Sequence, residues 1–348
     1  MVTQSWYSNI RSNRVASFTI MLLVTTALLA VLAYVTIPDK SRNANRQIVQ
    51  LALSAPGSTH QVCYQDKISQ KSFSTRILNI VSGQQDQNIY YPYDSLSYDG
   101  TATTINYQNT VITRAGRYDT SSIYYLLGSD KFGRDVLSRI ILGLRVSLTI
   151  GLLAVIVSLV IGIFIGSIGA YYGGRIDQIV MVIINTSWSI PTLLLAFAII
   201  LSLGKGYMVI ILAVGLTMWV DVARLVRGQI KEEREKPYVA SGKVLGLSDL
   251  RIVLRHILPN IAGPILVIAA ANFATAILVE AGLSYLGLGI QPPAPSLGNM
   301  LKENYAYATG GFVYLALCPI IMIMFLVLNF NLLGTALRDV FDYKSNTR

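Results

Sequence analysis

Two kinds of residue in this chain could do work. The first is Glu280, a single carboxylate deep in an apolar run. An acid at mid-membrane costs about 2.5–3.5 kcal/mol on insertion scales, so it must be paired or face water. It could line a substrate path or bond helix to helix, and both readings stand. The second is the stretch 224–260, RLVRGQIKEEREKPYVASGKVLGLSDLRIVLRHILPN, the longest polar segment between the apolar regions of the C-terminal half. It holds eight Lys/Arg (224, 227, 231, 234, 236, 243, 251, 255) and the acids Glu232, Glu233, Glu235 and Asp249. Val239, Leu245 and Leu247 lie among them, with Gly242 and Gly246 alongside. Such a pattern predicts a short helix with an apolar face, lying across the membrane surface and free to dock on a partner. Pro237 opens it, since its missing N–H would be unpaired there anyway. Gly246 closes it, and Ser248 caps a second helix.

Reactive chemistry is otherwise missing from the sequence. No GxxxxGK[ST] loop occurs, so the chain is not expected to hold a nucleotide. No nucleophile–base pair and no metal-ligand spacing are visible, and the only histidines, His60 and His256, lie far apart. Cys63 stands in a polar region and Cys318 in an apolar run, which implies no disulfide framework. Catalytic residues, a cofactor site and a metal site are therefore all expected to be absent.

These residues need a membrane-spanning frame. Charged residues are 13% of the 348, against about 25% in soluble domains, and mean hydropathy is +0.52. The net charge of +10 gathers beside apolar spans, as the positive-inside rule expects, and does not point to nucleic acid. Residues 1–14 form a polar tail, and the uncharged run 15–37 is long enough to cross a bilayer. A signal peptide is the alternative, but its apolar core would be only about 7–15 residues. Residues 38–129 differ in kind: rich in Gln, Asn, Ser, Thr and Tyr, they predict a small β-rich or mixed inserted domain outside the membrane, with strands at 103–107 and 110–113. Such a domain could be a docking surface, a cap on a pore entrance, or an insertion with only a packing role.

Residues 130–145 read as an amphipathic helix at the interface, with Val136, Leu137, Ile140, Ile141 and Leu144 on one face. Arg134 and Asp135 suit either a ligand or a local salt bridge or cap. Residues 146–337 hold the remaining spans. Gly162 and Gly166 have the spacing that lets two helices approach closely in lipid, and Pro191 sits inside the third span, where it should kink the helix. Asp221 is expected to pair with Arg224 or another basic residue. Residues 291–298 are too rich in Pro to span and read as an outer loop or re-entrant turn, while 338–348 form a tail inside.

Several of these strings carry a resemblance. Tyr238-Val239, Lys243, Leu245-Gly246 and Ser248, followed by Arg255-His256-Ile257-Leu258-Pro259-Asn260, resemble the coupling loop of ABC importer permeases, closest to the C-type subunit of the oligopeptide/dipeptide (and nickel) branch. Ala240-Ser241-Gly242 stands where that family has Glu-Ala-Ala, so the acid of that triplet is missing here. The segments 127–139 (LGSDKFGRDVLSR), 223–228 (ARLVRG), 280–289 (EAGLSYLGLG) and 332–342 (LLGTALRDVFD) are similar to further elements of the same family, though Asn185 stands where the family usually has an aspartate.

The resemblance implies an all-α membrane protein of the type I ABC importer permease fold, with six transmembrane helices and both termini on the cytoplasmic side of a bacterial inner membrane. It implies a subunit that is not an enzyme and binds no ATP. Its partners would be a homologous second permease, two ABC ATPase subunits, an extracytoplasmic peptide-binding protein and membrane lipid. The ATPases would contact Tyr238, Val239, Ala240, Ser241, Gly242, Lys243, Leu245, Gly246, Leu247 and Ser248. Glu280, Asn185 and Pro191 would be candidates for the translocation path. Nickel or another small solute is an alternative cargo within the same machinery, and a channel is a distant alternative.

Overall fold

Uncharged runs of more than about 20 residues leave the backbone no partner in lipid except itself, so they form helices. The computed structural model describes residues 13–65, 79, 82–86 and 88–342. Five helices are long and apolar enough to span a membrane: α1 (Arg14–Val31), α2 (Val136–Tyr172), α5 (Tyr207–Arg234), α7 (Ala262–Tyr285) and α9 (Tyr314–Asp342). Together α3 (Gly174–Trp188) and α4 (Thr192–Leu203) are as apolar and as long as a span, but they meet at 88° across the Ser189–Pro191 step. Pro191 caps α4, so the proline marks a break sharper than a kink. Shorter helices include α6 (Pro237–Val244) and α8 (Leu297–Ala308).

The chain divides into two units. One comprises residues 1–26, 147–291 and 323–348. Within it Gly162 and Gly166 do what their spacing suggests. A Cβ added at Gly162 would lie 2.5 Å from Val222 Cβ, and one at Gly166 2.6 Å from the Ala223 carbonyl oxygen, so α2 and α5 touch backbone to backbone there. Val222, Val226 and Ile230 of α5 continue into an apolar core with Val239, Ile252, Val253, Ile257 and Ile261.

The other unit comprises residues 27–146 and 292–322. It holds two three-stranded antiparallel sheets. In one, β1 (Ser58–Tyr64) is flanked by β2 (Tyr90–Pro92) and β6 (Asp119–Tyr125). In the other, β4 (Ala102–Tyr107) is flanked by β3 (Ser95–Tyr98) and β5 (Thr110–Ala115). The β4–β5 turn is Gln108–Asn109, with φ of 46° and 68°, the two positive values that a tight hairpin needs. Ile48, Leu51, Val62 and Tyr125 form the core under the first sheet.

Three expectations are corrected. Residues 130–145 are not a separate interfacial helix: the helix starts at Val136 and runs unbroken to Tyr172, because nothing between Leu144 and Ser147 stops it. Its first turns are buried nearly all round, at Val136, Ser138, Arg139, Ile140, Leu142 and Leu144, as an interfacial helix would not be. The C-terminal tail does not begin at Arg338, since α9 continues to Asp342 and its Phe341 ring packs on Gly263. The Pro-rich stretch ends at Ser296, whose hydroxyl accepts from Asn299 N and opens α8.

Candidate functional site

The segment between α5 and α7 is built as a firm platform with a small projecting knob. Helix α5 ends at Arg234, and Lys231 and Arg234 in its last turn suit the negative end of the helix dipole. Arg234 reaches back to donate to the carbonyl oxygens of Tyr171 (2.9 Å) and Ala170 (3.2 Å), which closes the end of α2. The link into α6 is clamped by Glu233, which is buried. Its carboxylate accepts from Lys236 Nζ (2.5 Å) and from the Tyr238 hydroxyl (2.6 Å). Burial, reinforced by this bond to Glu233, pushes the Tyr238 phenol up to about 12, so it remains a donor at every physiological pH.

Lys236 is extended, as a residue before proline must be, and Pro237 starts α6. The helix ends in a Schellman motif. Leu247 N donates to Gly242 O (3.1 Å) and Gly246 N to Lys243 O (3.0 Å), with Gly246 at φ +75°. Gly242 is buried against the side chains of Leu247 and Ile252. Ser248 takes the N-cap backbone conformation of the next helical turn, Asp249–Ile252, but its hydroxyl makes no cap bond. A π turn, Val253–Ile257, then precedes Leu258–Asn260. Pro259 removes an N–H and would crowd the carbonyl four residues back, and the wider turn relieves both. Two further ties hold the segment: the Tyr171 hydroxyl donates to Asp249 Oδ1 (2.6 Å), and Lys243 Nζ lies 5.3 Å from the centre of the Tyr171 ring.

The apolar face expected of α6 is split. Val239 (2% exposed) points into the core, with Tyr238 and Leu247 packed beside it. Leu245 (78% exposed) points away, and so does Val244 (88% exposed), which the sequence pattern did not single out. Ala240, Ser241, Lys243, Gly246 and Ser248 are exposed around them, with Leu250 nearby at 69%. Val244 was missed because it falls between Lys243 and Leu245 and fits no inward stripe. The available signal was that a two-residue apolar step beside a Schellman glycine cannot put both side chains inward.

The path candidates are held by different partners. Glu280 is fully buried, and its carboxylate accepts from Ser147 Oγ of α2 (2.9 Å) and Ser284 Oγ of its own helix (2.8 Å). This arrangement bonds helix to helix. Asn185 is exposed, and its Oδ1 accepts from Arg224 NH2 (3.3 Å). Arg224 also lies 4.4 Å from the Trp188 ring centre. Arg224 is thus engaged by the broken span rather than by Asp221, which is itself exposed. Pro191 is exposed beside the break. Arg227 makes two bonds to Asp177, of 2.5 and 2.7 Å, and pins α5 to α3. Arg134 and Asp135 take local roles. Arg134 pairs with Asp130 (2.6 Å) and Glu303 (2.7 Å), and Asp135 Oδ2 accepts from Ser138 N (2.9 Å) at the start of α2.

Apolar helices long enough to cross a membrane, joined by a platform with an outward apolar knob, define a multi-span membrane protein. Residues 158–345, more than half of the chain, match the family model of the binding-protein-dependent transport system inner membrane component, and the chain belongs to that family. It is 36% identical over 239 residues to the oligopeptide transport system permease protein OppC of Bacillus subtilis, covering 69% of this chain and 77% of that protein. The dipeptide transport system permease protein DppC of Haemophilus influenzae is 38% identical over 227 residues, with 65% of this chain and 77% of that protein covered. The glutathione transport system permease protein GsiD of Pectobacterium atrosepticum is 39% identical over 221 residues, with 63% and 72% covered. Among solved structures, an inward-facing form of the MetNI methionine ABC transporter aligns with a TM-score of 0.49 at 19% identity, over 59% of this chain and 96% of that one.

Proposed function

We propose that this chain is the permease subunit of an ATP-driven importer of di- and oligopeptides. The observation that carries the reading is the knob at Val244 and Leu245: an exposed apolar pair on a short helix that is itself anchored to the core. A partner gripping that pair would move the platform, because Val239, the Glu233 clamp and the Tyr171–Asp249 bond leave little slack between α6 and the spans. A loosely tethered loop would dissipate the same work. The names of the relatives support peptide as cargo.

On this reading the chain has the type I importer permease fold and forms one half of the path, with a second, homologous permease as the other. Two ATPase subunits bind the knob from the cytoplasm and supply all nucleotide chemistry. A peptide-binding protein delivers cargo from outside, where the β-rich unit stands, and both termini lie inside. ATP-driven closure of the ATPases shifts the platform and rocks the spans as rigid bodies. The test is reconstitution of the chain with its partner subunits in proteoliposomes. ATP-dependent uptake of a labelled tripeptide is expected, with competition by unlabelled peptides and none by nickel ions. Uptake that nickel displaces and peptides do not would overturn the cargo assignment.

A further inference from the structure

Helix α5 carries a polar stripe that its packing leaves open. Asp221, Arg224, Gly228, Lys231 and Glu232 recur at steps of three and four residues, so they share one face of the helix. All are exposed except Arg224, which is half-buried. The opposite face is closed, because Val222 and Ala223 lie against Gly162 and Gly166 of α2. These contacts also fix the level of the stripe. Gly166 lies eight residues before the end of the uncharged run 146–174, about 12 Å at 1.5 Å per residue, and Gly162 lies a turn further in. Asp221 and Arg224 flank the pair Val222–Ala223, so both stand alongside the uncharged run rather than beyond its end. Ionisable groups in that setting face a partner or water, not lipid.

The two charges are open to a ligand. Among the described residues the Asp221 carboxylate has neither a hydrogen bond nor an ion pair. Arg224 donates through Nη2 to Asn185 Oδ1 (3.3 Å) and lies 4.4 Å from the Trp188 ring centre, and no carboxylate pairs with it among the described residues. Its Nε is buried and unpaired, so a ligand would meet the terminal nitrogens. Asn185, Trp188, Ser189 and Pro191 are all exposed where α3 and α4 meet at 88°. Irregular backbone between spans persists where it is buried in protein or lines a water-filled cavity. Arg224 therefore joins an exposed break to an exposed polar stripe.

A short peptide is a zwitterion, with an ammonium at one end and a carboxylate at the other. Residues three apart on a helix stand about 5–6 Å apart at Cβ, and long side chains widen that reach. A metal ion suits the pair poorly, since it would meet one carboxylate beside a repelling guanidinium. No group of three metal-ligating side chains occurs among the described residues. We propose that Asp221 and Arg224 form a subsite for the termini of a di- or tripeptide in passage. Arg224 takes the carboxylate and Asp221 the ammonium, while Trp188 and Asn185 hold the guanidinium in place. This role rests on the cargo proposed above, and it names two residues that select that cargo.

The test places a thiol beside the cluster and leaves both charges intact. Ser189→Cys, in a chain whose Cys63 and Cys318 are replaced by serine, is assembled with its partner subunits in lipid nanodiscs, without binding protein or nucleotide. A charged, water-soluble thiosulfonate should label it, and tri-alanine should slow the labelling. Tri-alanine amide and N-acetyl-tri-alanine should each need about tenfold or more higher concentration for the same protection, the worth of one hydrogen bond to a charged group. Adding Arg224→Gln should erase the preference over the amide and keep the preference over the acetylated peptide. Asp221→Asn should do the reverse, whereas a merely structural role would shift all three peptides alike. The comparison of peptides on Ser189→Cys alone stands even if a second substitution impairs assembly. No labelling would mean that the second permease closes the stripe, and would overturn the subsite. Equal protection by the three peptides, protection by none, or preferences unchanged in both variants would overturn it too. Uptake is a separate readout: peptide import without these preferences sinks the subsite and leaves the proposed function standing, whereas import of nickel in place of peptide sinks the cargo itself.

Discussion

Replacing Val244 and Leu245 together by serine should detach the permease from its ATPases while leaving its own fold intact. At 88% and 78% exposure, neither side chain stabilises the permease to any extent. In a docked complex each would be buried. Fully burying a Val or Leu side chain is worth about 1.5–3 kcal/mol, and interfaces realise only part of that. Taking about 2–4 kcal/mol for the pair, the affinity should fall by about 30- to 700-fold, since each 1.4 kcal/mol is a factor of ten. The assay is retention of ATPase subunits on the immobilised, detergent-solubilised permease, read as a dissociation constant. The double variant should insert in the membrane at wild-type levels and lose its ATPases. A control, Val239→Ser, should instead reduce folded permease, because Val239 lies in the core. If the double variant keeps wild-type affinity, the knob is not the docking point.

Three further outcomes follow from the geometry. At Gly246 an added Cβ meets no atom within 4 Å, so the cost of substitution is backbone strain at φ +75° rather than a clash. Gly246→Val and Gly246→Trp should lose about 1–2 kcal/mol of loop order and raise the ATP hydrolysed per peptide transported, while Gly246→Asn, which tolerates this region, should be nearly normal. Ser147→Ala should lower resistance to SDS unfolding by about 0.6–1.7 kcal/mol, the range for interhelical hydrogen bonds in membranes, because it removes one of the two serine donors to Glu280. His60 on β1 is held below the usual imidazole range by burial, with its Nε2 lacking a partner. The unfolded strand then takes up a proton first, so stability is full above about pH 6.5 and falls as pH drops from there towards the folded value. Hydrogen exchange of β1 amides should quicken between about pH 7 and pH 5 beyond its intrinsic rate, and His60→Gln should remove that change.

Local signals were legible in the sequence where one residue decides the backbone. Pro237 and Gly246 mark the two ends of α6, Pro191 marks the break in the third span, and Gly162 and Gly166 mark a close helix crossing. Each acts through a property that needs no partner: a missing N–H, a permitted positive φ, or a missing Cβ. Features that depend on distant residues were not legible. Whether Glu280 lines a path or bonds a helix turned on Ser147, 133 residues away, and Arg134 found Glu303 at a separation of 169. The amphipathic pattern at 136–144 misled for the same reason. Its charged residue Arg139 is buried, not solvated, because Asp130 lies within reach of it. Val244 escaped notice because the turn that aims it outward depends on Leu247 folding back onto Gly242.

The side of the membrane on which the knob emerges can be read directly. With Val244→Cys in a chain whose Cys63 and Cys318 are replaced by serine, an impermeant maleimide should react in inverted vesicles and not in intact cells, and bound ATPase subunits should block the reaction. Labelling of intact cells would place the knob outside, where no nucleotide-driven partner could grip it.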